Sequence, residues 1–386
     1  MTDIFIVSGA RTAIGTFGGS LASFRPADLG TIVIKEAIAR AGLTPDKIEN
    51  VVIGTVVPTQ PKDAYISRVA AVNAGVPIES PAMNVNRLCG SGLQAIVSAA
   101  QGIALGEQQI AIGGGCEVMS NAPHMVLTAR NGQKMGDQIM MDVMLGALHD
   151  PFENIHMGVT AENIAEQHQI TREAQDALAV ESHRRAAAAT AAGYFKEQIV
   201  PVEVKTRKGV TVFDTDEHFR SDASLEGMAG LRPVFKKDGT VTAGNASGIN
   251  DGAGAVVLAS GEAVAEHGLK PIAKILAWGH AGVEPNVMGL GPVKAVPIAL
   301  KRAGLTLDQI DVIQPVLVAI AIAYAELWRS YFVFGFTRNP WARAVSSYRM
   351  LERYLAPKPG GAGCHAAATW RSFCADPSSL GRLHRE

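Results

Sequence analysis

A chain of 386 residues, 47% hydrophobic and 18% charged, is long enough for two domains or one large α/β unit with a buried core. Its formal net charge of −1 gives no electrostatic footprint for nucleic acid or for an acidic membrane surface. The four cysteines, Cys89, Cys116, Cys364 and Cys374, have no paired spacing, and the chain opens on an apolar strand without a basic leader. Both features lead to the expectation of reduced thiols in the cytoplasm.

In chain order, Asp3 to Ser8 reads as an apolar strand, Arg11 to Phe24 as a Gly-rich loop, and Pro26 to Gly42 as an amphipathic helix with a glycine stop. Asn50 to Val56 reads as a strand, Lys62 to Ala74 as a helix, and Met83 to Val85 as a short strand before the helical run from Leu93. Ile110 to Gly115 is a further buried strand. Apolar rather than alternating strands between helices predict a parallel sheet covered on both faces. Pro123 to Asp150 is Met-rich and lacks periodicity, and reads as an excursion that meets another subunit. Thr160 to Ala192 is helical, with a second start at Thr171. Val200 to Lys205 and Gly209 to Asp214 read as a strand pair. Val241 to Ser260 runs from a Gly/Asn loop into an apolar helix or strand.

An internal repeat marks the far end of this pattern. Ala41-Gly42-Leu43-Thr44-Pro45-Asp46-Lys47-Ile48 returns as Ala303-Gly304-Leu305-Thr306-Leu307-Asp308-Gln309-Ile310. Each copy follows an apolar-periodic helix and precedes a short strand, the second at Asp311 to Ile313. Two similar βαβ-type halves follow from this, with the 123–260 region placed largely between them.

The stretch Asn86-Arg87-Leu88-Cys89-Gly90-Ser91-Gly92 puts a thiol where strand gives way to helix. Free backbone N–H groups and the positive end of the helix dipole favour a thiolate there, and the flanking glycines let a substrate approach. A buried structural cysteine is the other reading. This stretch resembles the nucleophile motif of the thiolases, the acetyl-CoA acetyltransferase family, and the resemblance runs from about Thr2 to Ile313.

The resemblance implies a layered α/β fold of two similar βαβαβ halves, stacked α-β-α-β-α. It divides the chain into 1–122 with 241–262 as the nucleophile half, 123–240 as an inserted CoA-binding region, 263–313 as the start of a second half, and 314–386 as an unmatched, partly disordered tail. It implies that Cys89 carries an acyl group and that His156 and Met157 line a pantetheine channel. By the same likeness Phe235 and Met288 lie along that channel, Ser247 hydrogen-bonds the pantetheine amide, and Arg220 lies at the adenine end of CoA. Cys116, in the Gly113 to Ser120 segment, is then structural. The implied substrates are acetyl-CoA and acetoacetyl-CoA, with no cofactor beyond these thioesters, no metal, and a homo-oligomer, dimer or tetramer.

Past Ile313 the motifs of the family stop. No Gly-His-Pro occurs, the second-half counterpart of Cys89 is Leu351, and Gln314-Pro315-Val316-Leu317 stands where Asn-Glu-Ala-Phe is expected. Cys364 and Cys374 lack a Cys-x-Gly context. The expectation is therefore a truncated second half and impaired turnover, with a non-catalytic CoA-binding protein as the alternative. Val316 to Tyr324 is apolar but too short to span a membrane. The segment Arg338 to Tyr348 resembles the 3′-phosphate motif of sulfotransferases, with Arg338 and Ser346 as a phosphate clamp and the tail as a fragment of such a domain.

Overall fold

Runs of β-branched and small apolar residues make the strands, and alternate residues of each strand feed different cores. The computed structural model describes residues 2–310. Strands β1 (Ile4–Thr12), β2 (Asn50–Gly54), β3 (Ala82–Val85), β4 (Ile110–Val118), β5 (Asn250–Ser260) and β6 (Ala273–Lys274) form one sheet in the order β6-β1-β5-β4-β2-β3. The two-residue strands Gly15–Thr16 and Ile199–Val200 join it beside β5 and β1. Every residue of β4 and of β5 is buried, so these two strands are the centre of the sheet.

Three helices sandwich the sheet. On one face, Val51 and Ile53 of β2, Ile112 of β4 and Ala255 and Val257 of β5 share a core with helix α1 (Pro26–Arg40) and helix α2 (Ile66–Asn73). On the other, Val52, Ala111, Val256 and Leu258 pack with Ala95, Ile96, Ala99 and Ile103 of helix α3 (Ser91–Ala104). Adjacent residues of one strand, such as Val51 and Val52, thus point to opposite cores. Each fully buried isoleucine contributes about 1.5–3 kcal/mol.

Strand direction differs from the sequence expectation. β2, β3 and β4 are mutually parallel, but β5 runs antiparallel to both β1 and β4. Burial on both faces, not strand direction, is what removes polar–apolar alternation, so the apolar composition of β5 carried no sign of its reversal. The helix expected over Lys62 to Ala74 is a tight 3-10 turn, Pro61–Tyr65, followed by α2. Asp63 closes the start of that turn, its carboxylate accepting from the Thr59 and Gln60 N–H groups.

Beyond the sheet lie helix α4 (Met157–Gln167), helix α5 (Arg172–Ala191), the antiparallel pair Val202–Thr206 and Gly209–Phe213, and helix α6 (Gly291–Ala303). The repeat has a structural counterpart. Following α1 and α6 come left-handed glycines, Gly42 at φ 71° and Gly304 at φ 69°, and then the 3-10 turns Pro45–Lys47 and Leu307–Gln309. The expected strand at Asp311 to Ile313 lies outside the described residues. Residues 123–150 hold only the pair His124–Met125 with Met141–Asp142 and the short helix Val143–Ala147, and expose Met125, Met135, Ile139 and Met140. Among the described residues no helix is long and apolar enough to cross a membrane, and no group of side chains could hold a metal ion.

Candidate active site

Cys89 sits two residues ahead of the first residue of α3, with Gly90 as the helix cap. It is half-buried and its thiol is not in a disulfide. Asn86 and Ser91 tie the turn around it. The Asn86 Oδ1 accepts from the Leu88 N–H at 2.9 Å, and the Asn86 amide donates to the Val56 carbonyl at 3.3 Å. Val56 and Val57 in turn donate to the buried Glu117 carboxylate at the end of β4, each at 2.9 Å. Behind the turn, the end of β2 presses on the start of α3. A methyl at Gly54 would lie 2.6 Å from the Ser91 carbonyl oxygen, so only glycine fits. Cys116 is the opposite kind of thiol. It is fully enclosed in the α1–α2 core, and burial pushes its pKa well up, which suits a structural role.

A second cluster gathers at the start of α4. His156 caps that helix, its Nδ1 accepting from the Gly158 N–H at 3.0 Å. Its ring stacks on Phe235 at 4.6 Å between centroids and meets His149 edge-on at 5.1 Å. Phe235 lies directly on Gly158, where any side chain would collide with the ring. Burial, then the neighbouring His149, lowers the pKa of His156 and keeps the ring neutral. Met157 is half-buried as the first residue of α4 and donates its N–H to the Leu148 carbonyl at 2.8 Å. Met288, in the turn Pro285–Leu290, is brought to the same helix because the Asn163 amide donates to the Asn286 carbonyl at 3.0 Å. Ile275 and Trp278, upstream of that turn, pack on the α3 core, so one segment runs from the Cys89 helix to α4.

Ser247 and Arg220 stand on loops fastened to α4 and α5. The buried Glu162 of α4 accepts from the Thr240 and Val241 N–H groups at 2.9 and 2.8 Å, and Asn245 donates to Asp176 of α5 at 2.8 Å. Ser247 follows, its hydroxyl donating to the Gly248 carbonyl at 3.1 Å. The loop carrying Arg220 begins with Asp216, paired to the fully buried Arg11 of β1 at 2.7 and 3.0 Å. Glu217 next to it accepts from the Thr16 N–H at 2.8 Å. Arg220 itself is exposed, and its N–H donates to Nδ1 of His183 on α5 at 3.1 Å. Burial, then the Arg220 charge, lowers the pKa of His183. His156, Phe235, Met157 and Met288 are therefore gathered on α4, with the Ser247 loop tethered to α4 and α5 and Arg220 to α5. Glu162, His183, His149 and Asp216 had no signature in the sequence. Their partners are remote in the chain, so spacing could not reveal them. Arg338 and Ser346 lie outside the described residues.

Two family descriptions match this architecture, "Thiolase, N-terminal domain" over residues 4–262 and "Thiolase, C-terminal domain" over residues 269–325. The chain belongs to the thiolase family. This thiolase is 59% identical over 313 residues to the beta-ketothiolase BktB of Cupriavidus necator, covering 81% of this chain and 79% of that protein. It is 49% identical over 316 residues to an acetyl-CoA acetyltransferase of the same organism, covering 81% and 80%. Among solved structures, human mitochondrial 3-ketoacyl-CoA thiolase superposes with a TM-score of 0.86 at 39% identity, over 92% of this chain and 93% of that one. It is an acyl-CoA acetyltransferase-type enzyme.

These matches correct the expectations for the far end of the chain. The C-terminal domain match runs to residue 325, and the structural match covers 92% of the chain, further than one ending at residue 313 could reach. The second half is therefore not truncated, and the inference of impaired turnover that rested on truncation is withdrawn. The sulfotransferase-like fragment is withdrawn as well. One arginine and one serine after a strand form a short pattern that recurs by chance, and it is outweighed by a near-complete match to a single fold.

Proposed function

We propose that this thiolase condenses two molecules of acetyl-CoA to acetoacetyl-CoA and catalyses the reverse thiolysis through an acyl-Cys89 thioester. The observation that carries the reading is Cys89 at the N-terminus of α3, in a turn held by side chains on both sides, within a chain that matches thiolases nearly end to end. Cys89 takes an acetyl group from the first thioester and releases CoA. A base removes an α-proton from the second acetyl-CoA, its carbanion attacks the acyl carbonyl, and Cys89 leaves as thiolate. The names of the relatives, acetyl-CoA acetyltransferase and beta-ketothiolase, support substrates of this class.

In this reading His156, Met157, Phe235 and Met288 form the wall along which pantetheine lies, Ser247 bonds its amide, and Arg220 meets the adenine end. Residues 1–122 with 241–262 form the nucleophile unit, 123–240 carries the CoA-binding loops, and 263–313 opens the second half. The enzyme works as a homo-oligomer in the cytoplasm, the assembly supported by the exposed apolar side chains of 123–150 and the compartment by cysteines with no paired spacing in the sequence. Thiolysis of acetoacetyl-CoA, followed as loss of the enolate absorbance, tests the chemistry. The wild type turns over and Cys89→Ala does not; a Cys89→Ala rate equal to wild type overturns the assignment. Light scattering on the eluting peak tests the assembly, and a monomer mass removes that part.

A further inference from the structure

The residue just before the nucleophile has a left-handed backbone. Leu88 lies at φ 45°, a region that non-glycine residues occupy at a cost and keep only when their surroundings hold them. Two side chains do the holding. Asn86 accepts the Leu88 N–H at 2.9 Å. Ser91, from the other side of Cys89, donates its hydroxyl to the Leu88 carbonyl at 2.6 Å and accepts the Arg87 N–H on the same oxygen at 2.9 Å. Its own N–H also reaches the Leu88 carbonyl, at 3.0 Å.

Ser91 is itself immobilised. It is 1% exposed, and its carbonyl abuts Gly54 at the end of β2. The hydroxyl therefore bridges backward over the nucleophile to the two peptide units that precede it. Ser91 is the first residue of α3 rather than its cap, and its hydroxyl bonds to the strand side instead of to the N–H groups of the helix.

We propose that Ser91 is a positioning residue for the acyl-transfer reaction. Its hydroxyl, with the Asn86 amide, holds Leu88 left-handed and so keeps Cys89 at the N-terminus of α3, where the dipole and the N–H groups favour the thiolate. This rests on the reading of Cys89 as nucleophile. Without the hydroxyl, Leu88 relaxes toward ordinary backbone angles and Cys89 swings away from the helix end. The thiol then loses acidity while the CoA-binding loops on α4 and α5 stay in place.

The test is the rate of Cys89 alkylation by iodoacetamide across pH, read from the Cys89 peptide by mass spectrometry, together with steady-state thiolysis. Wild type, Ser91→Ala and Asn86→Ala are compared, each checked for folding by circular dichroism. In both variants the alkylation midpoint is expected to rise by about one pH unit, and kcat to fall about tenfold with KM for acetoacetyl-CoA within about twofold. A serine that only stabilised the helix would lower the melting temperature and move neither the midpoint nor the kcat-against-KM split. A folded variant of either kind with an unmoved midpoint and kcat overturns the inference. If Ser91→Ala does not fold, Ser91→Ala combined with Leu88→Gly decides, because glycine takes the left-handed turn unaided: a wild-type midpoint supports the inference and a raised one overturns it. A Cys89→Ala enzyme that still turns over would instead remove the nucleophile reading, and this inference with it.

Discussion

His156 uses one ring for three contacts: it caps α4 through Nδ1, stacks on Phe235, and meets His149 edge-on. Burial is the larger cause of its preference for the neutral form and the neighbouring His149 the smaller, and a proton on Nδ1 would also remove the acceptor for the Gly158 N–H. The folded value lies below the ordinary 6.5, so just below neutrality the unfolded chain binds more protons than the folded one. The stabilisation is full above pH 6.5 and is lost as pH falls through the folded value. His183 carries the same sign, because burial and then the Arg220 charge lower its pKa. The melting temperature is expected to fall between pH 7.5 and 5.5. In His156→Asn, which keeps a helix cap without a titrating ring, that fall should be smaller. Melting curves of both proteins at the two pH values check this, and identical falls would show that His156 contributes nothing to it.

Among the elements, α4 organises the side on which the proposed CoA-binding residues gather. His156 opens it, Asn163 holds the Met288 turn, and Glu162 holds the loop that leads to Ser247. Glu162→Ala would leave the Thr240 and Val241 N–H groups without their acceptor. Each such buried group costs about 1–3 kcal/mol. The expected outcome is a loss of stability on the order of 2 kcal/mol with KM for acetoacetyl-CoA raised and kcat little changed. Urea unfolding and initial-rate kinetics measure both, and an unchanged KM would mean that the Ser247 loop stands without the carboxylate. The sequence announced α4 and α5 as one helical stretch over 160–192 with a second start at Thr171, and it announced α3 through the small apolar run after Cys89. Glu162 was invisible because a glutamate on a helix normally faces water, and only the fold brings residue 240 onto it. The direction of β5 was equally hidden, because every residue of the strand is buried and its composition is the same whichever way it runs.

At the scale of the whole molecule, β4 and β5 are buried throughout, while 123–150 is largely exposed. Native-state hydrogen exchange should therefore run slowest in Ile110–Val118 and Asn250–Ser260 and fastest in 123–150, spanning the range from global opening to local fraying. Exchange followed by peptide mass spectrometry reports this directly, and comparable rates in the two regions would contradict the layering. The same scale explains the misreading beyond Ile313. A short motif constrains a few atoms, whereas a superposition over 92% of the chain constrains the backbone. The early part of the chain was legible because its nucleophile motif, its glycine stops and the repeat of Gly42 at Gly304 all agreed.

The place of β5 between β1 and β4 also has a consequence for how the protein is made. Both flanking strands leave the ribosome long before Asn250 does. At roughly 5–20 residues per second, the slot between them stays open for on the order of ten seconds. Until then the backbone N–H and C=O groups of Ser8, Gly9 and Ala10 and of Gly113, Gly114 and Gly115 lack the β5 partners they have in the folded sheet, which leaves two strand edges open. Such an edge can recruit a strand from a neighbouring nascent chain as readily as its own. Chaperone demand and the yield of active enzyme should then depend on translation speed across the 123–249 stretch, a property of the messenger that no substitution in the active site would alter.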